Sequence, residues 1–426
     1  LPAPVTSAQR PSNVCCCCGT VPCVPPRVKG VRLHYRAAPT AARDMPSPSL
    51  PSPGPHALAL SAALAGRIRA RIEAAGGWLG FDRYMQLALY EPGLGYYSAG
   101  SAKLGPAGDF VTAPELGTAL ARALVSRLEG QLAVLDRPTV LELGAGRGTL
   151  AAQILDALAE RGLGDVRYSI LEPSADLAQR QRGKLARFRE RVSWLERLPQ
   201  RPVDAVVIAN EVVDALPVAC FVKRGETAVP LGVVEGPGGL EWAEGPPQDV
   251  LARSVEALER ELGAPLPEGY RSEIRLVLPA WVAALEQALR RGFIWVADYG
   301  YGRRDYYRPE RSTGTLICHY RHRAHTDPFF LPGLSDITAW VDFSALADAA
   351  VEAGLTVAGY TTQGQFLLEA LGDALLDGPE GATPEALSAV KTLVLPGEMG
   401  ERFKIMLLAK RCEAEPLPGR DFRDRL

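Results

Sequence analysis

The residues of this sequence best placed to do chemistry are acids and an amide that stand in or just beyond short apolar runs. Glu142 lies within the run Val140, Leu141 and Leu143. Gly144, Ala145, Gly146, Arg147 and Gly148 then turn the chain into a segment with helical spacing at Leu150, Ile154, Leu155 and Leu158. Strand, glycine turn and helix make the first unit of a nucleotide-binding α/β sheet. Glycine is needed because a Cβ would keep a ligand off the backbone, and the N–H groups at the helix start attract electron-rich groups. Glu172 ends a second strand pattern, 24 residues beyond Gly148, near the spacing at which a carboxylate reaches both hydroxyls of a ribose. Asn210, Glu211 and Asp214 follow the apolar run 205–209, where the carboxyl ends of parallel strands form a ligand crevice. These three are the strongest catalytic candidates. As a helix N-terminus the same acids would also meet the dipole favourably, and both readings can hold.

The glycine spacing narrows the ligand. A dinucleotide fingerprint reads G-x-G-x-x-G, whereas glycines 144, 146 and 148 give G-x-G-x-G preceded by Glu142. That arrangement resembles the first motif of S-adenosylmethionine (SAM) methyltransferases, whose ligand carries no pyrophosphate and presents an ammonium to an acidic neighbour. An NAD site with an atypical third glycine, or a tight turn with no ligand, are the alternatives.

The rest of the chain has to position these residues. Its 426 residues can hold one large α/β domain with insertions, or two domains, and 47% hydrophobic residues is ordinary for a globular protein. A net charge of −2 argues against a nucleic-acid binder, and no apolar run approaches bilayer-spanning length, so no nucleic-acid or membrane partner is expected. Residues 1–55 are rich in Pro, Ser, Ala and Cys, with no acid before Asp44. They are expected to be a disordered leader: a wrongly extended start ahead of Met45, which implies a cytoplasmic protein, or a transit peptide, which implies a mitochondrial one. Adjacent cysteines 15–18 are poorly suited to tetrahedral metal ligation, and the isolated later cysteines fit a reducing compartment.

Leu60, Leu64, Ile68 and Ile72 recur at helical spacing until Gly76-Gly77. The aromatics Trp78, Phe81, Tyr84, Tyr90, Tyr96 and Tyr97 follow, as a lid or as core packing. Thr112 and Glu115 have capping-box spacing, while Asp109 and Phe110 sit in a glycine-flanked loop with no such structural reason. Strands are expected at 139–143, 168–174, 192–198, within 204–217 (apolar over 205–209), 292–300, 355–367 (running into a turn) and 401–410, and helices at 149–160, 280–291 and 336–354. Short alternating segments and a helix near 248–262 make 218–278 an insertion over the crevice. The stretch 301–333 is expected to be a loop. Its His319, His322 and His325 lack the i, i+4 spacing of a helical zinc site, so no metal is expected. The boundaries are then a helical and aromatic region at 56–130, core halves at 131–217 and 279–412, and a tail at 413–426.

Ten segments in order, YMQLALYEPGLGYY, GDFVTAPEL, LELGAGRGTL, ILEPS, ANEVVDALP, DYGY, GTLICHYRHRAHTDPF, PGLSDITAWVDF, QGQFL and MGERFKIMLL, are similar to the MidA-like family of SAM-dependent methyltransferases. They span about residues 80–410, and the first 55 residues match nothing in the pattern. The resemblance implies a Rossmann-like, seven-stranded α/β sheet of order 3-2-1-4-5-7-6, with an N-terminal helical and aromatic region and an inserted α+β substrate side. It implies SAM as cofactor, held by Asp109, Thr112, Glu142, Gly144, Ala145, Gly146, Glu172 and Asn210. It also implies a protein substrate whose arginine is methylated, on a respiratory complex I subunit or its bacterial counterpart, as by the family's mitochondrial member. Asn210, Glu211 and Asp214 would be catalytic, with Asp109 or Asp298 as alternates for the carboxylate clamp. A small-molecule methyltransferase and a non-catalytic SAM-binding assembly factor compete with this reading, and an NAD oxidoreductase stands further off. The oligomeric state is open, and a homodimer is compatible with the sequence.

Overall fold

Alternation along central strands sends side chains to two separate cores. Val206 and Ile208 pack on one face with Val140, Phe293, Trp295 and Ile405, while Ala205, Val207 and Ala209 pack on the other with Leu141, Ile294 and Met406. Such near-continuous apolar runs are what a sheet covered on both faces demands. The computed structural model describes residues 50–99, 112–376 and 383–426.

The central sheet contains Thr139–Leu143 (β1), Arg167–Leu171 (β2), Val192–Leu195 (β3), Val203–Asn210 (β4), Leu289–Tyr301 (β5), Thr356–Thr362 (β6) and Phe403–Lys410 (β7). Their spatial order is β3-β2-β1-β4-β5-β7-β6, the order the resemblance implies. The first five run parallel, and β7 is antiparallel to both its neighbours. An eighth strand, Val341–Asp342, pairs with the end of β5, so the sheet has one short strand beyond the expected seven. Helices Ala119–Ala133, Thr149–Glu160 and Gln363–Leu371 cover one face, and Leu278–Ala288 and Phe343–Glu352 the other.

Residues beyond this sandwich build a second layer at the carboxyl edge. Strands Ala219–Arg224, Thr227–Gly236, Gly239–Glu244 and Arg271–Ile274 form an antiparallel sheet, which Leu79–Gly80 joins. Helices Pro55–Ala74 and Phe81–Tyr90 pack on it through Leu64, Ile68, Phe81 and Tyr84. Phe81 stacks on Trp242 with ring centroids 4.6 Å apart, so this part of the aromatic stretch is core.

Three local expectations are corrected. The stretch 301–333 contains a hairpin, Ile317–Tyr320 with Arg323–His325, turning at the left-handed residues Arg321 and His322. His319 and His325 therefore lie on adjacent strands. The helix expected from Asp336 begins at Phe343, because the Asp342 side chain caps it by accepting the N–H groups of Ser344 and Ala345 at 3.0 and 3.1 Å. Before it, Asp336–Thr338 pairs as a strand. The turn expected after β6 is the helix Gln363–Leu371, capped by Thr362. Among the described residues, no helix is long and apolar enough to cross a membrane.

At Gly292, paired with Ala205, β5 leaves no room for a side chain against β4. The φ of Gly292 is 144°, and a Cβ there would lie 1.9 Å from the Ala205 carbonyl oxygen. Gly292→Ala is expected to cost about 2–4 kcal/mol by forcing these strands apart. The measurement is a urea unfolding curve, and an unchanged midpoint would contradict this packing.

Candidate active site

The carboxyl ends of β1, β2, β4 and β5 open into one cavity of about 790 Å³. On one side lies the glycine turn. Gly144, Gly146 and Gly148 have φ of 59°, 53° and 75°, left-handed values that glycine adopts without steric cost, so the spacing is a backbone requirement. The Gly144 N–H donates to the Leu171 carbonyl at 3.0 Å and ties the turn to β2. Gly144, Ala145 and Gly146 line the cavity.

Two carboxylates flank this turn. Glu142 is buried and accepts the Tyr168 hydroxyl at 2.8 Å. Burial pushes its pKa up to about 7; the Tyr168 bond opposes the shift and nearby Glu172 adds to it. Glu172 accepts the Ser174 N–H at 2.9 Å on one oxygen and Gln181 Nε2 at 3.0 Å on the other. Its pKa is raised by burial, against those two bonds. Gln181 Nε2 also donates to the Gly146 carbonyl at 2.9 Å, while its Oε1 accepts Trp194 Nε1 at 2.9 Å. A bare turn between one carboxylate suited to an ammonium and another suited to a diol fits SAM.

The opposite side is the turn after β4. Glu211 takes φ 54°, rare for a residue with a Cβ, and its N–H bonds the Ala297 carbonyl of β5 at 2.8 Å. Asp298 holds the same turn. Its carboxylate accepts the N–H groups of Val213 at 3.0 Å, Asp214 at 3.1 Å and Tyr299 at 2.9 Å. These bonds correct the expectation that Asp298 is an alternate substrate clamp: it is fully buried and serves the backbone.

Asn210, Glu211 and Asp214 all reach the cavity. Asn210 Nδ2 donates to Glu211 Oε1 at 3.2 Å. Asn210 Oδ1 and Asp214 Oδ1 are buried with no hydrogen-bond donor among the described residues. Burial, then the charge of Asp214, raises the Glu211 pKa to about 8, against bonds from Asn210 and the Ala113 N–H. Asp214 is also raised by burial, against its bond from Tyr299 and the positive charge of Arg275.

Further side chains from outside the sheet hold this turn. Arg275, just beyond the inserted strand Arg271–Ile274, donates to the carbonyls of Asp214, Leu216, Ala339 and Trp340 at 2.9–3.2 Å. Tyr90 donates to the Ala215 carbonyl at 2.9 Å and Tyr97 to Asp336 Oδ1 at 3.0 Å. Both tyrosines, Asp336 and His319 line the cavity, and His319 faces Asp336 across paired strands. The sequence singles out the two tyrosines as part of the aromatic stretch and His319 among three histidines, but carries no site signal for Arg275 or Asp336. Thr112 lines the cavity too, yet its expected cap is corrected: it makes no side-chain cap bond, and the Glu115 N–H goes to the Thr112 carbonyl at 3.0 Å in a short 3-10 turn. The Glu115 carboxylate instead accepts the Thr149 hydroxyl at 2.5 Å. Asp109 lies outside the described residues.

Residues 119–361 match a family model described as S-adenosyl-L-methionine-dependent methyltransferase. The chain is 29% identical to a protein named protein arginine methyltransferase NDUFAF7 homolog, mitochondrial, from Drosophila melanogaster, over 84% of this chain and 88% of that one. It is likewise 29% identical to protein arginine methyltransferase NDUFAF7, mitochondrial, from Mus musculus, over 76% and 79%. A crystal structure from Burkholderia thailandensis, bound to S-adenosyl-homocysteine, superposes with a TM-score of 0.81 at 40% identity, over 87% of this chain and 99% of that one.

The raised pKa of Glu142 predicts a trade between stability and binding. Near pH 4 the carboxyl is protonated in the folded chain and mostly so in the unfolded one, and costs little, since its ordinary value is 4.5. As pH rises past about 7 it becomes charged in the folded chain as well, and the full cost of burying that charge is reached. Glu142→Gln keeps an acceptor for Tyr168, so the cofactor-free variant should be about 1–3 kcal/mol more stable than wild type at pH 8. The two should converge near pH 4, in thermal melts, while calorimetry shows weakened S-adenosylhomocysteine binding. A variant no more stable at pH 8 would refute the buried charge.

Proposed function

Because the chain belongs to the MidA-like family of S-adenosyl-L-methionine-dependent methyltransferases, we propose that it methylates a protein arginine side chain. The observation that carries this reading is the pair of buried, donor-less oxygens, Asn210 Oδ1 and Asp214 Oδ1, beside the half-buried Glu211 in one cavity wall. A guanidinium is planar, positively charged and carries five N–H donors, so it suits a concentration of acceptors. The names of the Drosophila and mouse relatives support the same acceptor class. The sequence resemblance extends the proposal to a respiratory complex I subunit or its bacterial counterpart.

Glu142 and Glu172, with Gly144, Ala145 and Gly146, would hold the cofactor. When bound it supplies an electrophilic methyl group on a sulfonium. Asn210 and Asp214 would orient the guanidinium by accepting its N–H groups, placing one nitrogen in line for attack. Glu211, whose pKa is raised to about 8, would take the proton that this nitrogen sheds as the methyl arrives. The released proton thus ends on the carboxylate, and the methylated guanidinium keeps its single positive charge.

Labelled SAM, the purified protein and a lysate of cells lacking it test the acceptor: labelled methylarginine in hydrolysed protein is expected, and label confined to small molecules would overturn the proposal. Against the identified acceptor, kcat/KM should rise with pH through about 8, since the free-enzyme base works only when ionised. Glu211→Gln should lower kcat by about 10²–10³-fold and abolish that limb while S-adenosylhomocysteine still binds. Full methylation by this variant would remove Glu211 from catalysis.

A further inference from the structure

The amide of Gln181 lies among three groups from three different parts of the sheet edge. It belongs to the helix Ala175–Lys184 that follows β2, and it is completely buried. Its Nε2 donates to the Gly146 carbonyl in the glycine turn at 2.9 Å and to Glu172 Oε2 at 3.0 Å, so both N–H groups of the amide are in use. Its Oε1 accepts Trp194 Nε1, from β3, at 2.9 Å. An indole N–H can only donate, so Trp194 fixes which way the amide faces. With the oxygen turned to the indole, both N–H groups must point at Gly146 and Glu172. The outer face of Trp194 is covered by the Arg182 guanidinium, 5.0 Å from the ring centroid.

We infer that Gln181 is a positioning residue that sets the orientation of the Glu172 carboxylate for a ribose diol and couples it to the glycine turn. Each Glu172 oxygen accepts one bond, from the Ser174 N–H or from Gln181, and the residue lines the cavity. A carboxylate accepts along several lone-pair directions, so each oxygen keeps capacity for a hydroxyl. Two hydroxyls on adjacent ring carbons need both oxygens at once, in one plane. A carboxylate free to rotate about its last bond would offer that plane only part of the time. The same amide holds the Gly146 carbonyl, so recognition of the sugar and the shape of the turn depend on one side chain. No expectation from the sequence singles out this glutamine, and its chemistry is independent of what the methyl acceptor is.

The test compares S-adenosylhomocysteine with its 2′,3′-dideoxy analogue by calorimetry on the full chain. Three proteins are needed: wild type, Gln181→Glu and Trp194→Phe. Gln181→Glu is isosteric but has no N–H to donate when ionised, and it places a second negative charge beside Glu172. Trp194→Phe removes the orienting N–H and keeps an aromatic ring. Wild type should prefer the diol ligand by about tenfold or more, the worth of hydrogen bonds to a charged group. Both variants should lose most of that preference, chiefly through weaker S-adenosylhomocysteine binding, with dideoxy affinity changed much less. The preference of Gln181→Glu should partly return as pH is lowered, because the introduced carboxyl regains a proton to donate. A packing role alone would weaken both ligands in equal proportion, and that result would overturn the inference. So would an unchanged preference in the variants. Equal binding of the two ligands by wild type would overturn the Glu172–ribose assignment and this inference with it. If Gln181→Glu does not fold, Trp194→Phe decides the matter alone.

Discussion

One buried carboxylate holds the chemistry in place. Asp298, at the end of β5, spends its oxygens on the N–H groups of Val213, Asp214 and Tyr299. The first two of those N–H groups belong to a turn that begins with Glu211 in a left-handed conformation, which a residue with a Cβ adopts at a cost. Strain of that kind persists only where surrounding structure over-determines it. Asp298 and the bond from the Glu211 N–H to the Ala297 carbonyl provide the constraint. Asn210, Glu211 and Asp214 are thereby aimed into one cavity instead of following β4 upward.

The constraint concentrates acid at one edge of the sheet. Glu142, Glu172, Asp214, Asp298 and Asp336 are all buried there, and the pKa values of Glu142, Glu172, Glu211, Asp214 and Asp298 are all raised, with burial the largest cause. Without a ligand such groups work against stability at neutral pH. The arrangement makes sense for a cavity whose ligands bring positive charge. A sulfonium cofactor with an ammonium group does so, and the proposed guanidinium does so again. A pyrophosphate would bring negative charge to the turn beside Glu142, so the same electrostatics argue against the dinucleotide alternative.

Much of the frame was legible because local and long-range demands agreed there. At Thr139–Leu143, three left-handed glycines and Thr149–Glu160, the apolar run, the turn and the helical period each pointed to the same structure. Legibility failed where one residue type serves opposite ends. Asp298 and Asp214 both come after buried apolar runs, and only the fold reveals that one turns to the backbone and the other to the cavity. The helix expected from Asp336 is capped at Asp342 instead, because the residues before it pair as strands. Gln181 and Arg275 carried no signal in one dimension, and Tyr97 carried only that of an aromatic stretch. Their importance comes from reaching groups between 9 and 239 residues away.

The layer outside the sandwich also shapes the acceptor side. Arg275 is buried with its bonds directed to four main-chain carbonyls, those of Asp214, Leu216, Ala339 and Trp340. It thus joins the turn after β4 to the approach to Val341–Asp342. Tyr90 grips the Ala215 carbonyl from the N-terminal region, and its ring stacks on Tyr97, which holds Asp336. The turn that carries Asp214 is therefore gripped by a guanidinium from the insertion and a phenol from the N-terminal helices. A methyltransferase sheet by itself supplies the cofactor cradle; it leaves the far wall open. Here that wall is built by segments that pack in clusters of their own outside the two cores of the sheet, so its shape is set apart from the cofactor cradle.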